Sequence, residues 1–412
     1  MKDIKSLLND YCYLIIGLLP LIILFRSASL NLYIFFICIM FIFFFSEKRI
    51  FKNYINYLWI YIFVIFWIYI VINSYLTENN FRSLQSAISQ IRFLILALAI
   101  GFFFQFNIKA LNKLILTIGL IIFFVSIDTI YQYFFGHDIF GIEPSYDTNP
   151  YRLSGPFGKE LIVGGYISFL SAPVISYCFL NLNKSFNLKN FYFIIFILTT
   201  FFAVLLSGER MSLLFYCCNI FCLLFFIDKK KITLISSLLI ITLFSMYTLN
   251  QNVKSRINNF IFDLKNFENS NHARLFSSAY NIWKDSKIRG VGLKNYRIIC
   301  DESQIDKLTD KQTLCSTHPH NIYLEFLSET GLIGLILFSI FIINFLIFIK
   351  KHFKKLGNIR KSIFIGSLSV VLFYIWPVKS NGSFFSTFSA TLFWFNIGLI
   401  LLTINTKNKK ID

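Results

Sequence analysis

What most restricts the fold of this chain is the repeated return, along 412 residues, of apolar runs about as long as a bilayer is thick. One helix needs roughly 20 apolar residues to cross hydrocarbon, and in lipid only helices and closed barrels satisfy every backbone N–H and C=O. About twelve spans are predicted on this basis, near residues 11–26, 29–46, 54–76, 88–106, 112–135, 161–181, 190–206, 211–227, 232–249, 320–349, 362–378 and 386–405. The composition, 56% hydrophobic and 19% aromatic, excludes an ordinary soluble domain. The expected fold is an all-α polytopic membrane protein in three parts. Residues 1–249 carry nine spans, 250–319 form a hydrophilic loop, and 320–412 hold three more spans and a tail.

A net charge of +18 would suit a nucleic-acid binder, but its distribution argues for topology instead. Lys2 and Lys5, Lys48, Arg49 and Lys52, Lys109 and Lys113, Lys184 and Lys189, Lys229 to Lys231, Lys350 to Lys361, and Lys407 to Lys410 occupy the two ends and alternate short connections. Short-loop Lys and Arg stay on the cytoplasmic side, so both termini are expected there, with 250–319 outside. No nucleic-acid partner is expected. Residues 1–26 resemble a signal peptide but lack a small-x-small cleavage site and run straight into another span, so a retained helix is expected. Six cysteines fall in spans, where they read as small apolar residues. Cys300 and Cys315 both fall in the outer loop, and a disulfide between them is expected to fix the approach to His318 and His320.

Polar residues interrupt the apolar pattern most at Cys315-Ser-Thr-His-Pro-His-Asn-Ile-Tyr-Leu-Glu-Phe-Leu-Ser-Glu-Thr-Gly-Leu-Ile-Gly334. Thr317 is predicted as N-cap with Pro319 in the first turn, opening a helix that runs without a break to about residue 349. Ionisable groups in a span usually face a polar cavity. His320 is therefore expected at a cavity rim, with His318, Asn321, Glu325 and Glu329 lining it. Cations recur at other outer ends. Arg82, Gln85, Ser89 and Arg92 fall on one helical stripe, and Arg152 and Lys159 flank a Gly-Pro turn. Arg210 closes the tight turn Ser207-Gly-Glu-Arg. Leu275, Phe276, Ala279, Ile282 and Trp283 form the apolar face of an amphipathic helix, opposite Arg274, Ser278, Asn281 and Asp285. Each arginine also has a plainer reading, as an interfacial anchor or a solvated charge.

His320-Asn321, Tyr323-Leu324, Glu329 and Gly331-x-x-Gly334 resemble the signature of the O-antigen ligase and O-antigen polymerase superfamily of bacterial envelope enzymes. Arg210-x-x-x-Leu214, and Arg274 ahead of an amphipathic stretch and Gly290-Val-Gly292, are similar to its two arginine elements. The resemblance implies a GT-C-like glycosyltransferase of the inner membrane with a periplasmic site. It would move a glycan from undecaprenyl diphosphate to a lipid A core or other glycan acceptor. His320 would be the catalytic base, with Arg210, Arg274 and Arg152 on the diphosphate, and neither metal nor other cofactor is expected. Two alternatives remain: a polymerase that joins lipid-linked repeat units, and a transporter or flippase for an anionic lipid or solute. The absence of an evident internal repeat disfavours transporters built from duplicated halves.

Overall fold

The structure is a computed structural model. It describes residues 11–44, 56–77, 80–103, 109–144, 152–180, 188–223, 229–305, 314–380 and 382–405. The basic residues expected at 2–5, 48–52, 184 and 407–410 lie outside the described residues, as do Tyr151, Asn381 and the side chains of Lys189 and Lys229 to Lys231.

Every regular element among the described residues is helical. In chain order these are α1 (Leu19–Ile23), α2 (Arg26–Phe44), α3 (Leu58–Tyr75), α4 (Asn80–Ser89), α5 (Ile91–Phe103), α6 (Lys109–Phe135), α7 (Val163–Leu180), α8 (Leu188–Ser207), α9 (Arg210–Leu223), α10 (Lys229–Leu249), α11 (Gln251–Lys265), α12 (Asn271–Asp285), α13 (Tyr296–Ile305), α14 (Ile322–Phe353), α15 (Asn358–Tyr374) and α16 (Thr387–Asn405). Seven helical stretches among the described residues are long and apolar enough to cross a membrane, α4 and α5 together counting as one, and four shorter apolar helices accompany them. An all-α polytopic membrane protein is the result. Helices α11 to α13 lie in the loop between α10 and α14 and mark one end of the bundle, called here the loop end.

The bundle is built from neighbouring pairs: α5 on α16, α7 on α15, α3 on α14, and α8 between α6 and α7. Between lipid-embedded helices water exclusion gives no driving force, so close side-chain packing must hold the contact. Aromatic rings supply it along the α3–α14 seam. Phe66 lies 5.9 Å from Phe326, Phe63 5.2 Å from Phe341, and Trp59 5.3 Å from Phe345. Falling numbers on α3 meet rising numbers on α14, so the two helices run antiparallel.

Two predicted spans are not continuous helices. The fourth breaks at Gln90, between α4 and α5. Arg82 is left exposed on α4, while Arg92 on α5 donates to Thr387 Oγ1 at 3.3 Å. The expected stripe is thus divided between two helices.

Helix α14 breaks at Gly331, whose φ of 67° and ψ of −171° are not helical. A break inside a membrane helix leaves backbone groups without partners, tolerable only where protein supplies others. Residues 287–292 supply them here. Val291 N donates to Ser328 O and Gly292 N to Glu329 O, each at 2.8 Å, and Leu332 N donates to Lys287 O at 2.9 Å. The approach is backbone on backbone: a Cβ at Gly290 would stand 2.6 Å from the Glu329 carbonyl carbon and from Gly331 N. From α3, Tyr69 Oη donates to Thr330 O at 2.8 Å and Asn73 Nδ2 to Arg289 O at 2.9 Å. Helix α3 therefore helps to hold the break.

Candidate functional site

The polar residues of the loop end gather around two turns. The first joins α8 to α9 through Ser207-Gly-Glu-Arg210. Glu209 points back to the start of α7, where its two carboxylate oxygens accept from Gly164 N at 2.7 Å and Gly165 N at 3.0 Å. A carboxylate at a helix N-terminus meets unpaired N–H groups and the positive end of the helix dipole. Gly164 leaves the room required, since a Cβ there would sit 3.0 Å from Glu209 Cβ. Ser212 Oγ donates a third bond at 2.9 Å, and Arg152 Nη2 stands 3.9 Å away. Burial pushes this carboxyl above its usual range, and Arg152, Ser212 and the two N–H groups oppose the shift. Arg152 thus reaches the glutamate that precedes Arg210 in the chain, a residue no motif marks.

Arg210 itself turns outward. Its Nη1 lies 2.7 Å from Asp263 Oδ2, and its guanidinium lies 5.7 Å from the centre of the Phe260 ring. Both partners belong to α11, a second amphipathic helix of the 250–319 loop, ahead of the one expected around Arg274. Its hydrophobic face follows Val253, Ile257 and Phe260, and Asn250 caps it by accepting from Val253 N at 3.1 Å.

The second turn precedes α14. Asn321 Oδ1 accepts from Tyr323 N at 3.0 Å and Leu324 N at 3.2 Å, so Asn321, not Thr317, is the N-cap. Pro319 stays outside the helix, and Thr317 Oγ1 instead hydrogen-bonds His318 Nδ1 at 2.9 Å. His320 occupies the left-handed region at φ 57°, uncommon for a side chain with a Cβ. The His318 and His320 rings lie 4.1 Å apart, and His320 lies 6.0 Å from His272. His272 stands on α12, two residues before Arg274; burial lowers its imidazole below the usual value, the nearby Arg210 charge lowers it further, and Asp263 opposes. The described arrangement therefore places His272, which no motif marks, between His320 and the Arg210 charge.

Other expected lining residues turn inward. Glu325 Oε1 accepts from Ser383 Oγ, and Glu325 Oε2 accepts from Phe384 N at 2.7 Å. Lys294 Nζ reaches the same Ser383 Oγ at 2.7 Å. Asn321 Nδ2 donates to Pro377 O at 2.7 Å and Tyr323 Oη to Ile375 O at 2.7 Å. The α15–α16 connection thus grips the first turn of α14 at three side chains. Glu329 is buried behind it, beside Glu325 and Lys294. On α12, Ser278 is buried rather than solvated, and it bonds both the N–H and the C=O of Leu314. The structure joins Cys300 to Cys315 in a disulfide next to that contact. No group of three or more His, Cys, Asp or Glu suited to a metal occurs among the described residues.

The comparisons with known proteins bear on this same region. Comparison with curated proteins gives no match. A family model described as O-Antigen ligase matches residues 195–339. That segment holds Glu209, Arg210, Asp263, His272, Arg274, the Gly290–Gly331 junction and His320, while Arg152 lies before it. Over residues 195–339, then, the chain is similar to the O-antigen ligase family, and this similarity supports the superfamily that the motifs resemble.

Proposed function

We propose that this protein is a ligase-type glycosyltransferase that moves a glycan from undecaprenyl diphosphate to a lipid A core or similar acceptor, at the periplasmic face of the inner membrane. The family domain supports the reaction class. The observation that carries the residue roles is the cluster of His320, His318, His272 and Arg210 around the turns at the loop end.

In the reaction an acceptor hydroxyl oxygen attacks the anomeric carbon of the donor glycan. The bond from that carbon to the diphosphate oxygen breaks, and the electron pair leaves with the diphosphate. His320 takes the hydroxyl proton, a task suited to an imidazole. Guanidinium groups keep their charge when desolvated and bind phosphate bidentately, so Arg210, with Arg274 and Arg152, receives the growing negative charge. Asp263 holds the Arg210 fork at 2.7 Å and would yield that position to a phosphate oxygen. A preorganised donor at a developing charge is worth about 3 kcal/mol, a factor of a hundred or more in rate.

The test is transfer in vitro with purified protein and lipid-linked glycan. Release of undecaprenyl diphosphate with glycosylated lipid A core is expected. Elongated lipid-linked glycan would instead assign a polymerase, and lipid movement without bond cleavage a transporter. His320→Ala and Arg210→Ala should each lower transfer at least a hundredfold while membrane insertion persists. Near-normal transfer by either variant would remove that residue from the site.

A further inference from the structure

One cation of the loop end has no place in the scheme above. Lys379, in the connection between α15 and α16, is only 4% exposed. Its Nζ lies on three aromatic faces, 4.7 Å from the ring centre of Phe169 and 4.5 Å from those of Phe373 and Tyr374. Among the described residues no carboxylate lies within ion-pair distance of it. A buried ammonium without a counter-ion is costly, and aromatic faces return only part of what its hydration supplied. A lysine in such a place is a functional-site hypothesis that requires a partner.

Its position indicates which partner. Phe169 lies on α7 beside Gly165, where a Cβ would stand 3.7 Å from Phe169 Cε2 and 3.4 Å from Glu209 Oε2. On that side are Glu209 and Arg152, with Arg210 next in sequence. On the other side, Pro377 O, two residues before Lys379, holds Asn321 beside His320. Lys379 therefore sits between the arginine turn and the histidine turn, on Phe169 of α7 and Phe373 and Tyr374 of α15, with Glu209 and its partner Arg152 on the far side of Phe169.

We propose that Lys379 is a further anion-binding residue of this site, and that its missing counter-ion is the diphosphate headgroup of the lipid-linked donor. Burial pushes the amine down to about 7, with no ionised neighbour acting on it. Arrival of a diphosphate favours the ammonium, so donor binding near neutral pH draws a proton onto the protein. The inference rests on the ligase-type reading, and its test separates the two.

Purified full-length protein in nanodiscs is compared with Lys379→Met, a neutral side chain of similar length, and with Lys379→Arg, which keeps the charge. Undecaprenyl diphosphate is the probe, with undecaprenol and lipid A as controls. Binding by Lys379→Met should weaken about tenfold for the diphosphate and remain unchanged for both controls. Proton uptake, measured by calorimetry in two buffers, should disappear. The melting temperature of Lys379→Met should equal or exceed that of wild type, since a buried cation has been removed, and Lys379→Arg should bind more tightly than Lys379→Met. Unchanged diphosphate binding by Lys379→Met would overturn the proposal. So would a lower melting temperature accompanying the loss, because the lysine would then act through packing. Equal weakening of lipid A binding would assign it to acceptor phosphates and overturn the donor assignment. If wild type itself binds no undecaprenyl diphosphate, the ligase-type reading falls, and the inference with it.

Discussion

At the scale of single residues, the site is tuned by neighbours that stand next to the expected groups. His272 has an open face to solvent, yet the protein around it, and then the Arg210 charge, push its imidazole below the ordinary value of 6.5, with Asp263 opposing. The folded state binds this proton less readily than the unfolded chain does. Its contribution to stability is therefore present above about pH 6.5 and is lost as pH falls through that value. Between about pH 7.5 and 5.5 the melting temperature of wild type should drop further than that of His272→Gln. Parallel curves would show that the folded protein does not lower the proton affinity of this ring. The sequence displayed Arg210, Arg274 and His320 because a motif surrounds each, but nothing in residue spacing could show that His272 joins them. That relation arises only when α12 is laid against the turn before α14.

At the scale of elements, the unit that decides the architecture is the broken α14 and the segment that fills its break. Gly290-Val-Gly292 and Gly331 were each legible as glycine motifs, yet a helix-period reading carried the helix straight through Gly331. No local signal distinguishes a glycine that packs in a helix from one that breaks it. The distinction comes from Lys287 to Gly292, which replace the lost helical bonds from 37 to 45 residues away along the chain. Gly331→Ala places a Cβ against the Ile288 carbonyl at a φ of 67°, and Gly290→Ala presses one into the α14 backbone. Backbone strain of this kind costs about 1–3 kcal/mol per site. Each variant should melt lower than wild type, and hydrogen exchange should rise at 287–292 and 328–333 together. A rise confined to one segment would mean that they do not support one another.

At the scale of the whole molecule, the alternation of apolar runs and basic connections was enough to specify an all-helical membrane bundle, because period and length are local properties. Helix contacts were beyond it: that α5 pairs with α16 and α3 with α14 follows from packing between segments hundreds of residues apart. Orientation depends on charge rather than packing, and it is the premise on which a periplasmic site rests. Two exposed positions test it. Val378, 81% exposed, lies between Pro377 and the buried Lys379 at the loop end, and Gly357 lies in the basic connection between α14 and α15 at the other. In a background with Cys217, Cys218 and Cys222 replaced by serine, a membrane-impermeant maleimide applied to cells with a permeabilised outer membrane should label Val378→Cys. Gly357→Cys should react only after the inner membrane is opened. The reverse pattern would put His320 and Arg210 in the cytoplasm, where a donor presented at the periplasmic face could not reach them, and the proposed reaction would fail whatever the geometry of its residues.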